Sequence, residues 1–186
     1  MRIRNSRTVL LFTLPILLAI LAPKIQAKEA EERLKSLKIE LPPEPVPFGA
    51  YVEAVRTGNF LFLSGTLPIV GREPKFVGRL GDKLNVEDGR NAARLALLNA
   101  LSVIKHNLGS LDKVRRIVRL GVFLATTPDF KEHPKVADGA SELLENIFGK
   151  GRASSRTVLG MASLPLGVPV ELELTLEVED NVRGER

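Results

Sequence analysis

Two charged residues at the starts of apolar segments could do chemistry on a small carboxylate. Arg156 opens a strand-like segment, and a guanidinium there can bind a carboxylate through two parallel hydrogen bonds. Glu171 lies between Val170 and Leu172, where its carboxylate could act as a general base for water. Each has a plain alternative. A solvated strand-end arginine is the more common situation for Arg156, and Glu171 is also one member of an exposed glutamate ladder.

Two further segments carry weaker chemical signals. Ser64 and Gly65 end an apolar run, where a hydroxyl can face a ligand, although turn serines more often bond their own backbone. No Gly-x-Ser-x-Gly motif is present, which argues against serine hydrolase chemistry. The segment Gly149-Lys150-Gly151-Arg152 lacks the rest of a phosphate-binding loop motif, so it indicates a helix stop followed by a turn.

The composition of the 186 residues narrows the chemistry further. The chain has no cysteine, which excludes disulfides and a cysteine nucleophile, and its two histidines argue against a histidine-built zinc site. Residues 1–27 hold four of the 27 basic residues and no acid, leaving 23 basic against 22 acidic residues in the rest. With 8 Phe, 1 Tyr and no Trp, stacking rings are scarce. Both features argue against nucleic-acid binding.

The N-terminus has the layout of an export signal. Met1–Arg7 is basic, the uncharged run Thr8–Ala22 follows, and Ala27 offers a small residue for cleavage. The run is short for a membrane span, so residues 1–27 are predicted to be a cleaved signal peptide or, alternatively, a retained N-terminal anchor. In both cases we expect the folded part to be exported, periplasmic or secreted, with any membrane contact made only through residues 8–22.

Hydrophobic periodicity predicts the elements of one domain. Apolar residues at three- and four-residue spacing predict long helices over Val86–Leu108 and Pro134–Phe148. Strands are predicted over the following segments: Tyr51–Arg56, Asn59–Ser64, Val114–Leu124, Arg156–Ala162, Val170–Glu179 and a short one at Lys75–Val77. The continuous apolar run of residues 60–63 predicts a strand buried on both faces. The element order indicates an α+β fold with a mixed sheet and two helices on one side.

The organisation along the chain follows from these elements. Residues 28–47 are expected to form a helical stub and a proline-rich linker, and the domain is expected to span 48–180, with a tail at 181–186. The strictly alternating segment Val170–Glu179 predicts one apolar face against the helices and one polar face rich in carboxylates. That polar face could line the interior of an oligomer.

Four segments in order resemble one known family. They are Gly49-Ala50-Tyr51-Val52, then Phe60-Leu61-Phe62-Leu63-Ser64-Gly65-Thr66-Leu67-Pro68, then Ser155-Arg156 with Leu164-Pro165, and finally Val170-Glu171-Leu172. Together with the helix between them, they resemble the Rid (YjgF/YER057c/UK-type) family of reactive-intermediate deaminases. The resemblance covers about residues 48–179. It implies a chorismate-mutase-like α+β fold and a homotrimer with clefts between subunits.

The resemblance also implies an activity and roles for individual residues. Active members of the family hydrolyse enamines and imines such as 2-aminoacrylate to a 2-keto acid and ammonia, without cofactor or metal. Arg156 would bind the substrate carboxylate, and Glu171 would position the attacking water. Tyr51 and Ser64 would line the pocket, and Gly65 would allow close approach of the backbone.

Departures from the family pattern leave other functions open. Ser154-Ser155 precede Arg156 where the family usually has Pro or Ala followed by a small residue, and Thr157 follows it where the family usually has Ser, Ala or Cys. An exported deaminase also lacks an obvious supplier of substrate. A non-catalytic protein that binds small carboxylates is therefore the main alternative. An endoribonuclease is a weaker alternative because of the charge balance. A chorismate mutase would need several cationic groups, and only one is convincingly placed. The expected partners are a small carboxylate substrate and further copies of the chain, with no nucleic acid.

Overall fold

The computed structural model describes residues 29–152 and 154–180. The expected export segment, residues 1–27, and the expected tail at 181–186 lie outside the described residues. The described elements, in chain order, are α1 Glu29–Ser36, β1 Ala54–Thr57, β2 Phe60–Leu63, β3 Ile69–Val70, β4 Glu73–Pro74, α2 Val86–Leu108, β5 Val114–Ala125, α3 His133–Phe148, β6 Ser155–Met161 and β7 Val170–Val178. None of the helices in the described ranges is both long and apolar enough to cross a membrane.

Five strands form the main sheet, in the order β1-β2-β7-β5-β6. The pairings are antiparallel except for β5 with β6, which are parallel. The helices α2 and α3 cover one face of this sheet, which confirms the predicted α+β fold with a mixed sheet. The short pair β3 and β4 stands apart as a hairpin, and no strand forms at 75–77, where one was predicted.

Local sequence explains the main helix. The Asn85 side chain accepts a hydrogen bond from the Asp88 amide at 3.0 Å, and the Asp88 carboxylate accepts one from the Asn85 amide at 2.9 Å. This reciprocal cap satisfies backbone donors that the first turn leaves unpaired. Gly109 ends the helix in the left-handed region, with φ of 78°, a conformation that favours glycine. Alanines on the buried stripe, such as Ala93, Ala96 and Ala100, let the helix lie close to the sheet.

The segment before residue 48 belongs to the folded unit, so the expected domain start at Phe48 is too late. Ala30 and Leu34 of α1 are buried in the main core. The Asp112 carboxylate accepts hydrogen bonds from the first amides of α1, at 2.9 Å from Ala30 N. The proline-rich segment packs along α2, where Ser102 donates to the Pro42 carbonyl oxygen at 2.7 Å. Contacts distant in sequence therefore fix both parts.

The face of the sheet away from the helices is uncovered in the single chain, and we call it the open face. Leu61 and Leu63 of β2 are buried, but Phe60 and Phe62 are each 42% exposed on the open face. The prediction that this strand is buried on both faces is therefore wrong for the single chain. Val55 pairs with Phe62 on the same face, and Leu159 of edge strand β6 adds another exposed apolar side chain. A partly apolar, uncovered sheet face is typical of an interface.

Candidate functional site

A pocket of about 470 Å³ lies beside the open face, where β2 ends and β7 begins. Its lining consists of Phe48, Gly49, Tyr51, Ser64, Gly65, Leu67, Pro165, Leu166 and Glu171. Four residues singled out from the sequence, Tyr51, Ser64, Gly65 and Glu171, therefore meet in one place. The pocket combines a mostly apolar wall with a few polar groups, an arrangement typical of small-molecule sites.

Glu171 is the second residue of β7 and is paired in register with Phe123 of β5, on the open face. Its side chain packs directly against Gly65, because a Cβ atom built on Gly65 would overlap Oε1 of Glu171 and lie 2.9 Å from its Cδ. Among the described residues, the carboxylate has no hydrogen-bond donor and no ion-pair partner. Burial, followed by the nearby charge of Glu173, raises the pKa of Glu171. An unpaired carboxylate of this kind is suited to accept a proton.

The two hydroxyl groups of the pocket are held by the backbone. Ser64 donates to the Val52 carbonyl oxygen at 2.7 Å, so the hydroxyl is oriented by its surroundings and keeps its lone pairs as acceptors. The Tyr51 hydroxyl oxygen accepts from the Phe48 amide at 3.3 Å, which leaves the phenolic proton available to a ligand. Both groups could therefore bind a polar ligand without losing these backbone contacts.

Leu166 contributes an apolar wall from a strained backbone position. Its φ of 57° lies in the left-handed region, which is uncommon for residues other than glycine, and the Pro165-Leu166-Gly167 turn holds it there. The Leu-Pro-Leu-Gly turn is recognisable in the sequence, but its place in the pocket is not. Strained positions of this kind concentrate at functional sites, where the surrounding structure maintains them.

Arg156 does not reach this pocket within the chain. It is paired in register with Leu120, a buried residue beneath the helices, so it projects from the face opposite to Glu171. Its Nη1 donates to Oδ1 of Asp138 at 2.7 Å and to Oγ of Ser141 at 2.9 Å, both on α3. Arg156, to which the family resemblance gives the substrate carboxylate, is therefore already paired with an acid of its own chain. The α3 helix crosses β6 and brings that acid alongside.

Glu53 is a second carboxylate near the pocket, and no motif of the sequence marks it. It lines a small cavity of about 20 Å³ together with Tyr51 and Gly65, which also line the larger pocket. Burial, followed by the nearby charge of Glu44, raises the pKa of Glu53. The only signal in the sequence is an acid placed between Val52 and Ala54 at the start of an apolar strand.

Other candidate centres do not appear in the described part of the chain. Within residues 29–152 and 154–180, no group of three or more histidine, aspartate or glutamate side chains could hold a metal ion. Residues Lys150–Arg152 form a single short 3-10 turn after α3, which matches the predicted helix stop rather than a phosphate-binding loop.

The chain is thus an α+β protein with a partly polar pocket where β2 ends and β7 begins. The chain belongs to the family described as YjgF/chorismate mutase-like, putative endoribonuclease, whose model matches residues 31–176. This match confirms the resemblance to the Rid (YjgF/YER057c/UK-type) family. It also places most of α1 within the family's boundaries.

Relatives similar to this chain agree with this membership. The chain is 39% identical over 149 residues to Protein TCP17 of Trypanosoma cruzi, covering 79% of this chain and 92% of that protein. It is 28% identical over 142 residues to the 2-iminobutanoate/2-iminopropanoate deaminase of Dermatophagoides farinae, covering 76% of this chain and 95% of the relative. Reactive-intermediate deamination is therefore an activity found within the family, at low identity to this chain.

Solved structures share the fold. A protein of unknown function from Agrobacterium tumefaciens, Atu1372, is 34% identical with a TM-score of 0.75, covering 83% of this chain and 95% of its own. A putative endoribonuclease from Shewanella oneidensis is also 34% identical, with a TM-score of 0.77, covering 80% of this chain and 99% of its own. The fold is thus that of the YjgF/chorismate mutase-like proteins.

Proposed function

We propose that this protein is a hydrolytic deaminase that converts small enamine or imine acids, of the 2-aminoacrylate type, to 2-keto acids and ammonia. The observation that carries the proposal is the unpaired carboxylate of Glu171, held against Gly65 in a pocket with two hydroxyl groups. Support comes from relatives named as deaminases, one in Dermatophagoides farinae and one in Arabidopsis thaliana that is 27% identical to this chain.

The chemistry requires one base and one water molecule. With the imine nitrogen protonated, Glu171 takes a proton from water as the water oxygen bonds to the imine carbon and the carbon–nitrogen π electrons move to nitrogen, giving a neutral carbinolamine. The same proton then passes from Glu171 to the nitrogen. The carbon–nitrogen bond breaks with its electron pair leaving on ammonia, and the hydroxyl proton goes to Glu171 as the carbonyl forms. The raised pKa of Glu171 suits both steps, because it brings the carboxyl closer to the pH at which the reaction runs. The phenolic proton of Tyr51 is available to the substrate during these steps.

The substrate carboxylate needs a cation, and we propose that a neighbouring copy of the chain supplies it through Arg156. Arg156 lies on β6, an edge strand of the sheet, and its own chain directs it away from Glu171. The exposed apolar side chains of the open face, such as Phe60, Phe62 and Leu159, would be covered in a closed homotrimer. The pocket of one copy would then meet the arginine of the next at a subunit boundary that excludes bulk water.

Mixing two inactive variants tests this arrangement. Arg156→Ala and Glu171→Gln, each expected to be inactive alone toward 2-iminopropanoate, are co-expressed with different affinity tags and mixed assemblies are purified through both. If the site spans two copies, each trimer that carries both tags has one site in three with an intact arginine and an intact glutamate, so about a third of the wild-type activity returns. Light scattering gives the assembly mass. Mixed assemblies that stay inactive would overturn the shared site.

A non-catalytic carboxylate-binding protein is the second candidate, and the separation of Arg156 from the pocket of Glu171 within the chain favours it. A carboxylate bound by Arg156 of a single chain would not meet the base on the opposite face of the sheet. Binding of pyruvate by the wild-type protein with no turnover of 2-iminopropanoate would establish this alternative. Release of ammonia above the spontaneous rate in the same assay would exclude this alternative.

The pH dependence of deamination is expected to report the environment of Glu171. As a base, the carboxylate must be ionised, so kcat/KM falls as the pH drops through its raised pKa, which lies above the ordinary value of 4.5. Glu173→Gln removes the neighbouring charge and is expected to move this acid limb to lower pH. The control is Glu177→Gln on the same strand, because the Glu177 carboxylate already pairs with Arg116 at 3.4 Å. Rates are corrected for spontaneous hydrolysis, and a limb that moves upward in Glu173→Gln would contradict the assignment.

A further inference from the structure

We propose that Asp138 is a positioning residue, which holds one nitrogen of Arg156 so that the other edge of the guanidinium is fixed for a carboxylate. The inference rests on the proposed function. It gives Asp138 a role in binding the ligand carboxylate that is separate from the roles of the pocket residues and of Glu171.

The contact is built from two elements that meet side by side. Arg156 extends from β6 toward α3, and Asp138 and Ser141 are three residues apart on that helix, so they share one face. Both accept hydrogen bonds from the same nitrogen, Nη1, at 2.7 and 2.9 Å. The Arg156 side chain is only 27% exposed, so its packing restricts the remaining rotamers.

The other edge of the guanidinium is left for a ligand. Among residues 29–152 and 154–180, Nε and Nη2 of Arg156 have no hydrogen-bond partner. These two nitrogens point in parallel and match the two oxygens of a carboxylate, which is how arginine binds carboxylates in pairs of hydrogen bonds. A cavity of about 180 Å³ lies beside the guanidinium, with Ser141 and Leu144 in its lining, so the arginine is not enclosed.

Asp138 has two opposed effects on such a ligand. By accepting a hydrogen bond, it orients the guanidinium of Arg156, so less side-chain freedom is lost when a ligand binds. Its negative charge opposes the charge of the incoming carboxylate. Two substitutions separate these effects: Asp138→Ala removes the hydrogen bond and the charge, whereas Asp138→Asn keeps an acceptor oxygen and removes only the charge.

The experiment measures pyruvate binding by calorimetry and the kinetics of 2-iminopropanoate hydrolysis. Asp138→Ala is expected to raise both the pyruvate Kd and the KM about tenfold and to change kcat by less than about twofold. The reason is that Asp138 orients Arg156 for binding of the carboxylate and takes no part in the chemical step. Asp138→Asn is expected to restore both values to within about threefold of the wild type. Glu142→Gln removes the same charge from α3 but contacts Arg90, so it serves as the matched control.

Several outcomes would overturn the inference. An unchanged or lowered Kd in Asp138→Ala would show that the acid restrains the arginine rather than presenting it, and an Asp138→Asn variant as weak as Asp138→Ala would show that the hydrogen bond is not what matters. Ser141→Ala removes the other acceptor of Nη1 and is expected to raise the pyruvate Kd about threefold. This variant is used for the test if Asp138→Ala does not fold.

Failure of the inference and failure of the proposed function are distinguishable. If the wild type binds pyruvate without turning over 2-iminopropanoate, the deaminase proposal fails, and the Kd series alone decides the role of Asp138. If the wild type binds no pyruvate, the positioning role is overturned as well. If the wild type turns over 2-iminopropanoate and the pyruvate Kd is the same in the wild type and the variants, only the role of Asp138 fails.

Discussion

Replacing Glu171 by glutamine is expected to lower kcat for 2-iminopropanoate hydrolysis at least about 100-fold, because the variant keeps the shape of the pocket but has no base to activate water. Pyruvate binding is expected to survive, since the substrate carboxylate is assigned to Arg156. The measurement is ammonia release at saturating substrate, with calorimetry for pyruvate. Activity within about threefold of the wild type would remove Glu171 from the mechanism.

The same substitution carries a prediction about stability with an unusual sign. The pKa of Glu171 is raised in the folded protein, so ionising this carboxylate disfavours folding at every pH above that pKa. Glutamine has no such charge, and the variant is expected to unfold at a higher temperature than the wild type at neutral pH. The difference should shrink as the pH falls through the raised pKa and vanish below the ordinary value of 4.5, where the carboxyl is protonated in both the folded and the unfolded wild type.

Glu177→Gln on the same strand is the matched control for both readouts. Its carboxylate pairs with Arg116 and Arg115, so the substitution removes a favourable contact and is expected to leave stability unchanged or slightly lower. It lies outside the pocket, and deamination should continue. Opposite stability changes in two glutamates of one strand would show that the environment of Glu171, and not its position on a charged ladder, sets its behaviour.

Much of the fold follows from periodicity that the sequence displays directly. The apolar stripe of Val86–Leu108 predicts α2 at its observed ends, because the cap at Asn85 and the stop at Gly109 are both local signals. The alternation of Val170–Val178 predicts β7 and which of its faces is buried. These elements depend on neighbours in sequence, so the sequence contains enough information to place them.

The misjudged elements depend on contacts distant in the chain. The run Phe60–Leu63 has no polar residue to show which face is covered, so burial on one face only could not be deduced. The helix α1 has few apolar residues, and its place in the core depends on Asp112, about eighty residues away. The partner of Arg156 depends on how α3 crosses β6, which no local pattern encodes.

The candidate site likewise combines residues that local motifs mark and residues that only contacts distant in the chain bring to the pocket. Motifs in the family's order point to Tyr51, Ser64, Gly65 and Glu171, and the structure brings all four into one pocket. Glu53 and Leu166 carry no such signal, because an isolated acid and a turn leucine are ordinary features of a sequence. Their positions beside the pocket arise only when the strand ends meet.

Substituting alanine at Gly65 is expected to lower kcat about 100-fold without unfolding the protein, because the new methyl group would occupy the space of the Glu171 carboxylate. The atoms in its way, Oε1, Cδ and Cγ, belong to one flexible side chain and not to the backbone. The carboxylate would therefore turn aside and leave its position over the pocket. The change in unfolding free energy is expected to stay within about 1 kcal/mol.

The control is a second glycine of the same pocket. A Cβ atom at Gly49 would lie 3.5 Å from the ring of Tyr51, which is ordinary van der Waals contact, so Gly49→Ala is expected to keep most of the activity. Equal losses in the two variants would mean that any added methyl group disturbs the pocket. In that case the specific contact of Gly65 with Glu171 would not be the cause.

A double substitution decides whether Gly65 acts through Glu171 or on the substrate itself. If the methyl group acts only by displacing the carboxylate, Gly65→Ala in the Glu171→Gln background should give the same kcat and the same pyruvate Kd as Glu171→Gln alone, because two changes to one interaction are not additive. If the pyruvate Kd rises further in the double variant, the bare backbone of Gly65 makes its own contact with the ligand. Wild-type kcat in Gly65→Ala would contradict both readings, since the carboxylate would then work equally well from another position.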